Sequence, residues 1–214
     1  MNPAEKQVSY QIRNSYSTLN NYTPKTKNVW VVFHGIGYLS RYFLKYFTHL
    51  DPEENYIIAP QAQSKYYLNE KYRHVGASWL TKENTEAETE NVLNYLDEVY
   101  KAEELQNAPN LILFGYSQGV SVATRWVARN KTECNQLILH SGSLPKELQP
   151  EDFEFLTSTK VTLIYGDSDE FLNKEKLIKE TERARELFGD KLEIISFEGG
   201  HEVNVDIIAD LANR

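Results

Sequence analysis

A single cysteine, Cys134, in 214 residues excludes an internal disulfide framework and any cysteine-built metal cage. It stands just before an apolar run, so it reads as a small residue at the edge of the core, and a reducing compartment fits it. Positive charge is also scarce. With 23 Lys and Arg against 31 Asp and Glu the formal net charge is -8, which argues against nucleic acid as a partner. No apolar run exceeds strand length, well below the ~20 residues of a membrane span, and Met1 to Tyr10 holds no apolar signal core. A soluble cytoplasmic protein without integral membrane association is expected. His201-Glu202 lacks the second histidine of a His-Glu-x-x-His zinc motif, and neither a phosphate-binding loop nor a dinucleotide fingerprint occurs. No metal or organic cofactor is therefore expected. Repeats, low-complexity tracts and flexible linkers are missing too, so residues 1–214 read as a single domain, as a monomer or homodimer.

What the chain does contain is an alternation of short apolar runs and amphipathic segments. Val29–Phe33, Asn55–Pro60, Leu111–Phe114, Gln136–His140, Val161–Tyr165 and Leu192–Phe197 read as strands, several of them continuous apolar runs suited to burial on both faces. Between them Ser40–His49, Asn84–Glu103, the segment ending near Asn130, and Glu175–Phe188 carry helical spacing, and Val203–Ala212 closes the chain as a short helix. The glutamates of Asn84–Glu103 form a solvated face. Gln7–Leu19 reads as an edge hairpin, and Gln61–Leu80 as a long irregular, aromatic-rich segment. This pattern predicts an α/β domain with a mainly parallel sheet, helices on both faces and no large cap.

Gly115-Tyr116-Ser117-Gln118-Gly119 falls between the Leu111 strand and the helix that contains Val120, Ala123, Trp126 and Val127. A strand-turn-helix of this composition lifts a seryl hydroxyl above the carboxyl edge of a parallel sheet. Ligands of such sheets bind at that edge. A serine needs a base, and the base needs an acid to orient it. Two later strand ends supply them: Gly166-Asp167-Ser168-Asp169-Glu170 and Glu198-Gly199-Gly200-His201. Asp169 is favoured over Asp167 because it lies further from its strand and reaches a second loop more easily, although either could instead organise the loop or cap the next helix, and Glu170 is a distant third candidate. His34-Gly35-Ile36-Gly37 follows an early strand, where the amide of Ile36 can join that of Gln118 in an oxyanion hole. His34 itself is expected to organise that loop.

These segments, with Leu139-His140-Ser141-Gly142-Ser143-Leu144-Pro145, Ile58-Ala59-Pro60-Gln61-Ala62 and Ser78-Trp79, resemble the small carboxylesterase and acyl-protein thioesterase family of α/β hydrolases. The resemblance runs from about Val29 to the end of the chain. It implies hydrolysis of esters or thioesters through an acyl-enzyme, with Ser117, Asp169 and His201 as the triad. Three features depart from that family: Tyr38 in place of an aspartate, Phe171-Leu172-Asn173 without Val-Pro after the acid, and the whole of Ser64–Gly76. The expected substrate is an ester of a small or medium acyl group, bound by Tyr38, Leu39 and Trp79. Longer acyl chains in a thioesterase or lysophospholipase would need a groove from Tyr38, Leu39, Tyr66, Tyr67 and Trp79, and a hydrolase scaffold that only binds its ligand is the third reading.

Overall fold

The structure is a computed structural model and describes residues 4–214. In chain order its strands are β1 (Tyr16–Leu19), β2 (Asn28–Phe33), β3 (Asn55–Pro60), β4 (Ser64–Tyr67), β5 (Val75–Ser78), β6 (Leu111–Tyr116), β7 (Gln136–His140), β8 (Lys160–Gly166) and β9 (Leu192–Phe197). The helices are α1 (Ser40–Phe43), α2 (Thr85–Ala102), α3 (Gln118–Asn130), α4 (Lys174–Phe188) and α5 (Val205–Ala212). Seven strands form one sheet in the order β1-β3-β2-β6-β7-β8-β9. Only β1 runs antiparallel, against β3; every other neighbouring pair is parallel.

The continuous apolar runs behave as period-two strands whose two faces are both covered. In β6, Leu111 and Leu113 enter one core layer with Leu96, Trp126 and Leu187 from α2, α3 and α4. Ile112 and Phe114 enter the other, with Phe43, Phe47 and Ile208 from α1, the 3-10 turn after it and α5. Helices therefore lie on both faces. At the amino-terminal edge of the sheet, Asn28 Nδ2 donates to Ala212 O at 2.9 Å and Gln136 Nε2 donates to Leu211 O at 3.1 Å. The end of α5 is thereby fastened beneath the strands. No helix among the described residues is long and apolar enough to cross a membrane.

Three elements differ from the sequence expectation. The edge hairpin reduces to β1, because the open edge of β3 is the partner that satisfies it, while Val8, Tyr10 and Ile12 are exposed and unpaired with any strand. Ser40–His49 is one helical turn followed by the 3-10 turn Leu44–Phe47. The irregular stretch Gln61–Leu80 contains the β4–β5 ribbon, in register from Ser64↔Ser78 to Tyr67↔Val75. All four residues of β4 are exposed, so no alternation of polar and apolar side chains announces it.

Candidate active site

β6 sits near the middle of the sheet and runs straight into α3, with Ser117 as the hinge at φ 54° and ψ -118°. That backbone conformation disfavours a residue with a Cβ and costs about 1–3 kcal/mol. Its surroundings hold it: Ser117 N donates to His140 O on β7 at 2.9 Å. The flanking glycines are demanded by contact. A Cβ on Gly119 would lie 2.0 Å from Phe33 O, and one on Gly115 would lie 2.7 Å from Gly119 O.

Loops leaving β8 and β9 bring Asp169 and His201 to this serine. Ser117 Oγ lies 2.9 Å from His201 Nε2, and His201 Nδ1 lies 2.8 Å from Asp169 Oδ2. The Asp169 side chain is wholly buried and accepts two backbone amides on Oδ1, from Phe171 at 2.8 Å and Leu172 at 3.1 Å. An ionised carboxylate accepts only, so His201 Nδ1 is the donor and Nε2 is left to accept from the serine hydroxyl. Asp167 stands elsewhere, exposed, accepting from Ser168 Oγ at 2.9 Å and Gly199 N at 3.3 Å. It organises the loop and makes no bond to His201.

Tyr116, a variable position of the turn, donates its hydroxyl to His201 O at 2.8 Å, and its ring lies 5.3 Å from the imidazole. Phe171 meets the same imidazole edge-on at 4.8 Å. Behind them, His140 is fully buried among Phe114, Tyr116 and Phe197. Its Nε2 accepts from Asn204 N at 3.2 Å, so Nδ1 carries the proton and donates to Ser141 Oγ at 3.0 Å. Burial lowers its pKa from 6.5 to about 3, which keeps the ring neutral.

The turn after β2 packs against the serine, since a Cβ on Gly35 would come within 3.1 Å of Ser117 Cβ. His34 braces this turn as expected: its Nε2 accepts from Ala62 N at 3.2 Å and its Nδ1 donates to Gly35 O at 2.8 Å. Burial lowers the His34 pKa to about 4. The next residues are fastened to β5, with Gly37 N donating to Ala77 O at 2.9 Å and Ala77 N to Tyr38 O at 3.1 Å. Neither the Ile36 nor the Gln118 amide donates to any described residue, and both residues line the cavity that contains Ser117. The Gln118 side chain has a separate task that sequence reasoning missed. Its Oε1 accepts from Trp79 N at 2.8 Å and its Nε2 donates to Leu80 O at 2.7 Å, tying the exit of β5 to the turn.

The cavity measures about 440 Å³ and is walled by the turn after β2, the serine turn, the segment after β7 and the loop into α4. This lies in the lower part of the ~300–1,000 Å³ span of small-molecule sites. Tyr38 lines it, with its hydroxyl bonded to Tyr46 at 2.8 Å and its pKa raised to about 12, first by burial and then by that bond. Leu39 and Trp79 do not line it. Leu39 turns into the core layer beneath, and the fully buried Trp79 donates its indole N–H to His34 O at 2.8 Å. The lining instead includes Ser143, Phe171 and Leu172, which the sequence singled out only as family-like or divergent positions, and Lys176, which carried no sequence signal. Among the described residues no cluster of His, Cys, Asp and Glu is arranged to hold a metal ion. Cys134 is buried at the far end of the sheet, two residues before β7, with its thiol pKa raised to about 12 by burial.

A family model described as phospholipase/carboxylesterase matches residues 14–213. Against the curated proteins nothing matches. Among solved structures the chain is similar to esterase PE8, with TM-score 0.69 and 21% identity over 94% of this chain and 99% of that one. It is similar to a phospholipase/carboxylesterase from Dyadobacter fermentans, with TM-score 0.68, 18% identity, and 96% and 99% of the two chains covered. Zea mays acyl-protein thioesterase 2 is matched with TM-score 0.66 and 16% identity over 94% of this chain and 97% of that one. At these identities the likeness is one of fold.

Proposed function

Since the chain belongs to the phospholipase/carboxylesterase family of hydrolases and has the α/β-hydrolase fold, we propose that it is a serine hydrolase cleaving esters of small or medium acyl groups through an acyl-enzyme on Ser117. The observation that carries this reading is the hydrogen-bonded series Ser117 Oγ, His201 and Asp169, 2.9 and 2.8 Å long, opening on a cavity beside two undonated amides. In this reading His201 Nε2 takes the hydroxyl proton as Ser117 Oγ attacks the carbonyl carbon. Asp169 fixes the tautomer and balances the imidazolium charge. The carbonyl oxygen becomes an oxyanion held by the amides of Ile36 and Gln118, each such donor contributing about 2.7–4 kcal/mol to the transition state. His201 then returns the proton to the departing alcohol or thiol. A water molecule deprotonated by the same imidazole releases the acid and regenerates the serine.

The volume of about 440 Å³ favours a compact acyl group, bound with Tyr38, Phe171 and Leu172 rather than with Leu39 or Trp79. A second reading, hydrolysis of long-chain esters or thioesters, draws on the exposed Tyr66 and Leu68 of the β4–β5 ribbon, which approach Gly37 beside the cavity. Release of p-nitrophenol from acetyl, butyryl, octanoyl and palmitoyl esters tests both, with Ser117→Ala beside the wild type. The first reading expects Ser117-dependent turnover that declines beyond butyryl, and the second expects a rise toward palmitoyl. Turnover that survives in Ser117→Ala would refute both, as would failure of Ser117 to react with an activated phosphonate.

A further inference from the structure

The charge of the cavity runs against that of the chain. Acidic residues outnumber basic ones 31 to 23, yet no Asp or Glu lines the space around Ser117, and Lys176 does. Lys176 lies in the first turn of α4 and donates from Nζ to Phe171 O at 3.1 Å, which pins the ammonium to the loop that carries Phe171 and Leu172. Among the described residues four lysines pair with carboxylates, Lys179, three residues on, with Glu175 at 2.7 Å, and Lys25, Lys27 and Lys101 with theirs. Lys176 forms no ion pair among the described residues. The neighbouring carboxylates are turned to other work, Glu175 pairing with Lys179, Glu180 Oε2 accepting from Leu144 N at 2.9 Å and Glu170 Oε2 from His201 N at 3.4 Å. An ammonium has three N–H donors, so Lys176 keeps two for a ligand.

The hydroxyls that share the cavity point to the same chemistry. Ser141 is buried yet lines the space, and its oxygen already accepts from the protonated Nδ1 of His140, so its own proton is free to donate. Ser143 also lines the cavity and bonds to no described residue. One cation and two hydroxyl donors, with no carboxylate among them, set a patch complementary to an acceptor-rich anion beside the apolar wall of Tyr38, Phe171 and Leu172.

We propose that the substrate is an ester or thioester carrying a free carboxylate on its acyl or its leaving part, and that Lys176 is the residue that selects it. This rests on the serine-hydrolase reading and narrows its substrate class. Lysine is a compact point charge without a fixed fork, so arginine at this position keeps the charge and alters the geometry.

The test compares kcat/KM for p-nitrophenyl hemiglutarate with that for p-nitrophenyl pentanoate, and for 4-acetoxybenzoate with that for phenyl acetate, each corrected for its rate in hydroxide. The first pair places the carboxylate on the acyl part and the second on the leaving part. Wild type is expected to favour the anionic member of at least one pair by tenfold or more. Lys176→Gln should bring that ratio to about one, Lys176→Glu should invert it, and Lys176→Arg should restore part of it. Added salt should lower the wild-type ratio, since the pair is partly solvated. A wild-type ratio near one in both pairs overturns the proposal, as does a high ratio that Lys176→Gln leaves in place. Ser117-dependent hydrolysis of the neutral esters is read in the same assay, so failure of the substrate class is distinguished from failure of the hydrolase reading, which would abolish turnover of all four.

Discussion

Replacing Asp169 by asparagine should disable the enzyme without disturbing the fold, and the geometry dictates why. Oδ1 of Asp169 receives the amides of Phe171 and Leu172, so only an oxygen can occupy that place. The new NH2 group must then face His201 Nδ1, now 2.8 Å from Oδ2. Two donors cannot meet there. The imidazole proton moves to Nε2, which would point it at Ser117 Oγ 2.9 Å away and lose the capacity to accept. A base in the wrong tautomer costs about 10⁴-fold in kcat, or roughly 5.5 kcal/mol at 1.36 kcal/mol per decade. Asp167→Asn removes a carboxylate that bonds only Ser168 Oγ and Gly199 N on an exposed loop, so its effect should stay within about tenfold, the reach of a bond worth 0.5–1.5 kcal/mol. The assay is kcat on p-nitrophenyl acetate at pH 8, with melting temperatures recorded for both variants. Asp169→Asn within tenfold of wild type, or Asp167→Asn falling as far, would refute the reasoning.

Ser117→Gly should raise stability by about 1 kcal/mol in urea unfolding while eliminating turnover, because it releases ~1–3 kcal/mol of backbone strain against a smaller entropic penalty; a less stable variant would show that the elbow is unstrained. Gly119→Ala drives a Cβ to 2.0 Å from Phe33 O and should cost about 3 kcal/mol or more, with activity lost, whereas wild-type stability in that variant would contradict the packing of α3 on β2. His34 and His140 are held neutral with pKa values near 4 and 3, below the ~6.5 of an unfolded chain. The unfolded state therefore binds more protons between those limits, and stability is complete above pH 6.5 and falls as pH drops toward 4. By pH 5 each imidazole should have removed about 2 kcal/mol, so His140→Phe should flatten the pH dependence of the melting temperature, and an unchanged slope would be the contrary result.

The parallel strands at the centre were legible because burial on both faces leaves continuous apolar runs such as Leu111–Phe114, and the places of Ser117 and Asp169 were legible because each follows such a run, whereas His201 follows the partly buried edge strand β9 and was marked by the paired glycines before it. The β4–β5 ribbon was not, since it is fastened by backbone bonds to Gly37 and Tyr38 and its side chains need no periodicity. Aromaticity misled in the case of Trp79. An indole in a loop near a site suggests a wall, but its N–H meets a backbone carbonyl inside the protein. Lys176 reads in sequence as one more solvated helix residue, and only the fold sets it beside the serine.

The fastening of α5 beneath the sheet bears on the time at which activity can arise during synthesis. His201 is held by Tyr116 at its own carbonyl and by His140 at Asn204, and from there the chain enters the helix whose last carbonyls are caught by Asn28 and Gln136. The serine turn can be translated 84 residues before its base, and the base is drawn into place by a helix that follows it. A nascent chain halted before Leu211 would therefore carry an ordered nucleophile and no working hydrolase. Appearance of esterase activity on stalled ribosomes would then serve as a clock for the docking of the final helix.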